Sequence, residues 1–85
     1  MKLAVEITLY PLDQSYVPFI QDFIDRLNTE SGLFVNTTHT CTLVAGDYDL
    51  VMSVLQREFK TTYEQVGQAA FVCKFLNANN MDIAK

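Results

Sequence analysis

The residues best suited to chemistry cluster in one short run, Thr37-Thr38-His39-Thr40-Cys41-Thr42. His39 is the only histidine of the chain, and Cys41 is one of two cysteines, the other being Cys73. One imidazole is not a metal site, and no Cys-x-x-Cys pair or His/Cys cluster accompanies it. No Ser-His-Asp or Cys-His spacing arranges a nucleophile, and no glycine-rich phosphate loop is present. An enzyme acting on a small metabolite through His39, Cys41 and the acidic residues is therefore the weakest of the expectations, since no pair has a diagnostic spacing, and no resident cofactor is expected. His39 then reads as a hydrogen-bonded strand histidine or a ligand contact, and Cys41 and Cys73 as small buried groups. The threonines suggest more. On a regular strand Thr38, Thr40 and Thr42 place their hydroxyls on one face. A hydroxyl both donates and accepts, so such a row suits the polar edge of a heterocycle in an apolar cleft. Tyr10, next to Pro11, could supply an aromatic wall. Glu6 reads as an exposed charge, as half of an ion pair between subunits, or as a carboxylate that receives a cationic ligand, and Asp47 and Asp49 as helix-start residues.

The elements that must position these groups follow from hydrophobic periodicity. Lys2 to Tyr10 alternates, with Leu3, Val5, Ile7 and Leu9 on one side, which predicts a strand ending at Pro11. Asp13 and Ser15 are suitable helix caps, and Pro18 suits a first helical turn. Phe19, Ile20, Phe23, Ile24 and Leu27 recur at helical spacing, and Gly32 is expected to close that helix. Leu33 to Ala45 is rich in Val, Thr and Phe, with a turn expected at Asn36-Thr37 and a second strand over Thr38–Ala45. Asp47 should cap a helix whose apolar stripe is Leu50, Val51, Val54, Leu55, Phe59, Tyr63 and Val66, closed by Gly67. Ala69 to Leu76 is the last strand, with Phe71, Cys73 and Phe75 on one face, and the polar stretch from Asn77 to Lys85 is expected to fray.

The order strand, helix, strand, strand, helix, strand predicts an α+β, ferredoxin-like βαββαβ fold. Its four-stranded antiparallel sheet carries two helices on one face. One domain over residues 1–80 and a polar tail over 81–85 account for the 85 residues. The open sheet face is expected to carry Ala4, Thr8, Tyr10, Thr40, Thr42, Val44, Val72 and Leu76, too apolar to stay wet. A homodimer or tetramer built on that face would cover it. Hydrophobic residues make up 49% of the chain, which excludes a disordered one. Six Lys plus Arg against ten Asp plus Glu give a net charge of −4, which argues against nucleic acid and against an anionic membrane. No apolar run approaches the roughly 20 residues of a spanning helix, and the N-terminus lacks a signal-peptide pattern. A cytoplasmic protein is expected. Arg26 and Arg57, the only arginines, read as exposed helix residues rather than an anion cradle.

Four stretches resemble the bacterial thiamin/hydroxymethylpyrimidine-binding family. They are Ile7-Thr8-Leu9-Tyr10-Pro11-Leu12, Ser31-Gly32-Leu33-Phe34-Val35, Thr42-Leu43-Val44-Ala45-Gly46-Asp47 and Phe75-Leu76-Asn77-Ala78. The likeness runs from about Val5 to Asn80. It implies cytoplasmic, non-enzymatic binding of thiamin or its hydroxymethylpyrimidine half by a single ferredoxin-like domain. It carries ligand contact to Leu9, through packing or its main chain, and to the Thr42 hydroxyl. Tyr10, His39, Thr40 and Cys41 fall in the same segments. The chain departs from the family at Leu76-Asn77-Ala78-Asn79-Asn80, where relatives often read S-N-A-C-P, and at Thr40-Cys41, where they often read Met-Ser. Regular strands would place Leu9 and Thr42 on opposite faces; a twist, a bulge near Pro11 or a main-chain contact at Leu9 would reconcile them. The competing expectation is an oligomeric interaction or regulatory module with no small-molecule ligand.

Overall fold

The structure, a computed structural model, describes residues 1–12 and 17–80. The expected caps Asp13 and Ser15 and the expected tail over 81–85 lie outside them. Strand β1 (Lys2–Pro11) is followed by helix α1 (Val17–Asn28), strands β2 (Phe34–Thr37) and β3 (Thr42–Asp47), helix α2 (Tyr48–Val66) and strand β4 (Ala69–Asn77). The sheet order is β2-β3-β1-β4 and every neighbouring pair is antiparallel. This is the ferredoxin-like arrangement. The strand with the cleanest alternation takes a central place, between β3 and β4. Pro11 is itself the last rung, opposite Ala69, and the next amide, Leu12 N–H, donates to the Gln68 carbonyl at 2.9 Å.

The core lies between the sheet and the helices. Leu3, Val5, Ile7 and Val44 meet Phe23 and Leu27 of α1 and Val51, Val54 and Leu55 of α2. Phe71 of β4 fills the far end, its ring centroid 5.1 Å from that of Phe23 and 4.3 Å from that of Phe59. The Asp47 carboxylate caps α2 by accepting from Leu50 N–H, and Gly67 closes it by donating to the Tyr63 carbonyl. Both ends are as the sequence indicates.

Five expectations change. The hairpin turn occupies Thr38–Cys41, not Asn36-Thr37, so β3 starts at Thr42 and His39 sits in a loop rather than mid-strand. The faces change too. Val5 stands opposite Val44 and Ile7 opposite Thr42, and opposed residues of an antiparallel pair share a face. Thr42 and Val44 therefore face the helices, while Leu43 and Ala45 face the open side. Gly32 does not close α1, which ends at Asn28 with Thr29 and Glu30 amides donating back to Arg26 and Leu27. Its φ of 87° instead turns the chain into β2. The segment after β4 does not fray at once. Ala78 is buried against Ala4 and Ala45, and its amide donates to the Lys2 carbonyl. Finally, Arg26 is not an exposed helix residue: together with Arg57, which is exposed as expected, it bonds the buried Glu58 carboxylate, and it also reaches Thr62, joining α1 to α2. Sequence periodicity misses such a clamp because Glu58 and Thr62 sit on the buried side of a helix at positions read as polar.

Candidate functional site

β1 outruns β3. The last rung between them is Ile7 opposite Thr42, yet β1 continues to Pro11, paired only with β4. The space beside this overhang is bounded by α1 on one side and by the β2–β3 loop on the other. It forms a cavity of about 130 Å³. Its apolar wall is Ile7, Leu9, Ile20, Phe23 and Ile24; its polar rim is Thr8, Thr37, Thr38, His39, Thr40, Cys41 and Thr42.

The loop is held in shape by one residue. The Thr38 amide donates to the Cys41 carbonyl at 2.9 Å, and the Thr38 hydroxyl accepts from the Thr40 and Cys41 amides, each at 3.3 Å. This is a side chain replacing ladder bonds that a turn cannot make. The Thr8 hydroxyl donates to the Thr40 carbonyl at 3.3 Å and ties the loop to the overhang.

Two polar features face the cavity. The first is the main chain of Leu9. Successive residues of a strand direct their N–H and C=O to opposite sides. Leu12 N–H and the Lys2 carbonyl bond partners on the β4 side, whereas the Met1 carbonyl accepts from Tyr48, beyond the end of β3. Odd-numbered residues of β1 therefore face β3. Leu9 faces that side two residues past its last rung, and no hydrogen bond among the described residues engages its main chain. The missing N–H of Pro11 falls on the same unpaired side, which is why proline is tolerated there. The second feature is the Thr42 hydroxyl. Thr42 is 5% exposed, and its Oγ1 lies 3.2 Å from that of Thr37, its cross-strand partner.

Leu9, His39, Thr40, Cys41 and Thr42 thus meet at one cavity. Tyr10 does not: alternation turns it to the open face, where it is 52% exposed. The expected row of hydroxyls does not form, because Thr38 and Thr40 belong to the loop. The disagreement over Leu9 and Thr42 disappears, since both belong to the helix-facing side. Sequence reading included Thr37 and Thr38 in the run but missed the pairing of Thr37 with Thr42, and it missed Ile20 and Ile24 as the cavity wall. The four-residue spacing of the two isoleucines on α1 was the available signal. Cys73 lies across β1, opposite Ile7, and burial pushes its thiol pKa up. Among the described residues no group of three or more His, Cys, Asp and Glu is placed to hold a metal ion. None of the helices described is long and apolar enough to cross a membrane.

The YkoF-related family matches residues 2–80 of the chain. No curated protein sequence matches it. A Streptococcus pneumoniae protein superposes with a TM-score of 0.86 at 20% identity, covering 98% of this chain and 93% of that one. A Thermotoga maritima protein, provisionally assigned to thiamine biosynthesis/salvage, gives 0.83 at 15% identity, with 98% and 91% covered. A Bacillus cereus domain of unknown function, DUF77, gives 0.72 at 13%, with 98% and 82% covered. At these identities the likeness is one of fold.

Proposed function

The chain belongs to the YkoF-related family, and on that premise we propose that it binds thiamin or its hydroxymethylpyrimidine half, reversibly and without turnover, in the cytoplasm. The observation that carries the reading is the pairing, at one apolar cavity, of the unengaged Leu9 main chain with the buried Thr42 hydroxyl. An aminopyrimidine edge presents ring nitrogens that accept and an amino group that donates. The Leu9 N–H and C=O would line one polar side of the ring as a neighbouring strand would, and the Thr42 hydroxyl would meet the exocyclic amino group. Ile7, Ile20, Phe23 and Ile24 would take the ring faces. A buried polar edge left unpaired costs about 1–3 kcal/mol, so this small set of partners is enough to select a ring.

Size supports the same reading. A cavity of about 150 Å³ accommodates a benzene-sized ring, and this one measures about 130 Å³. One six-membered ring fits, and the remainder of thiamin would extend past the loop into solvent. The assignment of the Thermotoga maritima neighbour points the same way. Isothermal titration calorimetry with thiamin and with hydroxymethylpyrimidine tests the proposal. Saturable binding near one ligand per chain, shared by both compounds, is the expected result; no heat with either at millimolar ligand would overturn it.

A second reading concerns assembly. The open sheet face exposes Tyr10, Val72 at 60% and Leu76 at 46%, with the Glu6–Lys74 pair, 3.3 Å apart, beside them. A second copy of the chain would cover that face, giving a homodimer, or a tetramer if pairs associate further. Assembly without a ligand is the alternative if the calorimetry is silent.

A further inference from the structure

We propose that the Thr37–Thr42 hydroxyl pair is a two-way hydrogen-bond adaptor, letting the cavity take pyrimidines with either an amino or an oxo group at the edge that faces Thr42. The inference rests on the pyrimidine-binding reading above and names the class of ring which that site admits.

The argument begins with the inventory of a hydroxyl: one proton and two lone pairs. Thr42 Oγ1 is buried, and its sole hydrogen-bond partner among the described residues is Thr37 Oγ1, at 3.2 Å. Either oxygen can donate at that distance. If Thr42 gives its proton to Thr37, it offers the cavity a lone pair and accepts from a ligand amino group. If Thr37 gives its proton to Thr42, the Thr42 proton is free for a ring nitrogen or a carbonyl oxygen. Thr37 is an exposed residue at the end of the edge strand β2, so water can complete its bonding in either state. The change is a rotation of two hydroxyls and moves no backbone.

A buried hydroxyl held by a main-chain carbonyl would behave differently. Its proton would be committed, and only a donor edge would be read. Here the partner is itself a hydroxyl with access to water, so neither ligand strands a buried polar group. Thr37 stands on the rim of the cavity and serves here as a positioning residue: it sets the direction of the Thr42 hydroxyl.

The test is calorimetric titration of the purified chain with hydroxymethylpyrimidine, which carries an exocyclic amino group, and with the analogue in which that group is a carbonyl. Wild type should bind the two within about tenfold of each other. Thr37→Val keeps the branched shape on an exposed strand position but removes the acceptor for the Thr42 proton. An amino ligand then leaves that proton stranded, and its affinity should fall about tenfold, as expected for an unpaired buried group. The oxo ligand, which takes the proton, should change less than about threefold. Thr37→Ser should restore the amino ligand. Wild type preferring one ligand by more than about a hundredfold would overturn the adaptor and leave pyrimidine binding intact. An equal loss of both ligands in Thr37→Val, or no change in either, would do the same. Silence with both ligands in wild type would remove the binding proposal, and the adaptor with it.

Discussion

Thr42 stands directly opposite Ile7 in the β1–β3 ladder, so its side chain shares a face with Leu9, two residues further along β1. That register turns a hydroxyl and an unengaged main-chain edge toward the same apolar cavity. It also makes Thr42 the first residue of β3 and leaves Leu9 on the overhang of β1, which is why the cavity exists where it does.

Removing the Thr42 hydroxyl should weaken ligand binding without unfolding the chain. Thr42→Val is nearly isosteric and suits a strand. Affinity for hydroxymethylpyrimidine should drop about tenfold, corresponding to the roughly 1–3 kcal/mol of an unmatched polar edge. Circular dichroism should be unchanged. Wild-type affinity in a folded Thr42→Val protein would refute the assignment.

The two cysteines should differ in reactivity. Cys41 lines the cavity, and the thiol of Cys73 has its pKa pushed up by burial, so less of it is the nucleophilic thiolate. A thiol reagent followed by mass spectrometry should label Cys41 first. Saturating hydroxymethylpyrimidine should slow labelling of Cys41 and leave Cys73 unaffected. Equal protection of both would mean that the ligand acts on the whole fold rather than at the cavity.

The Glu58 clamp should appear as acid sensitivity. Burial by itself would raise its pKa, but hydrogen bonds from Arg57 and Arg26 outweigh burial and hold it below the usual glutamate value. A carboxylate whose pKa is lower when folded contributes stability that is fully present above its unfolded pKa. That contribution is lost as pH falls through the folded value. Thermal melts should therefore show Tm falling below the ordinary glutamate range. Glu58→Gln should lower stability by about 2 kcal/mol at neutral pH, from one charge-assisted bond lost and the other weakened, and flatten that acid dependence. An unchanged acid profile in the variant would show that other carboxylates carry it.

Assembly through the open face predicts a particular solution behaviour. Multi-angle light scattering should give a dimer or larger at micromolar concentration. Val72→Lys, which puts a charge on the most exposed of those strand positions, should shift it to monomer while the circular dichroism stays native. A monomeric wild-type chain would end this reading.

Sequence pattern determined the element order, the helix-facing side of β1, the stripe of α2 and both of its caps. Each rests on interactions between near neighbours: a strand repeats every two residues and a helix every 3.6, and a cap reaches three residues. The run from His39 to Thr42 and the Leu9 strand were legible as a site because their residue types and a family likeness marked them. Only the tertiary structure decided how these pieces meet. In β3 both alternate sets are apolar, Val44 on one side and Leu43 and Ala45 on the other, so alternation could not choose the buried face. The Val5–Val44 rung chose it. The β2–β3 hairpin set Thr37 opposite Thr42, and the β1–β3 pairing, which joins residues 39 apart at the Val5–Val44 rung, set Thr42 on the side of Leu9. It also left the Leu9 edge open. The Arg26–Glu58 clamp was hidden for the same reason, since a charge on a helix discloses its partner only when a second helix is packed beside it.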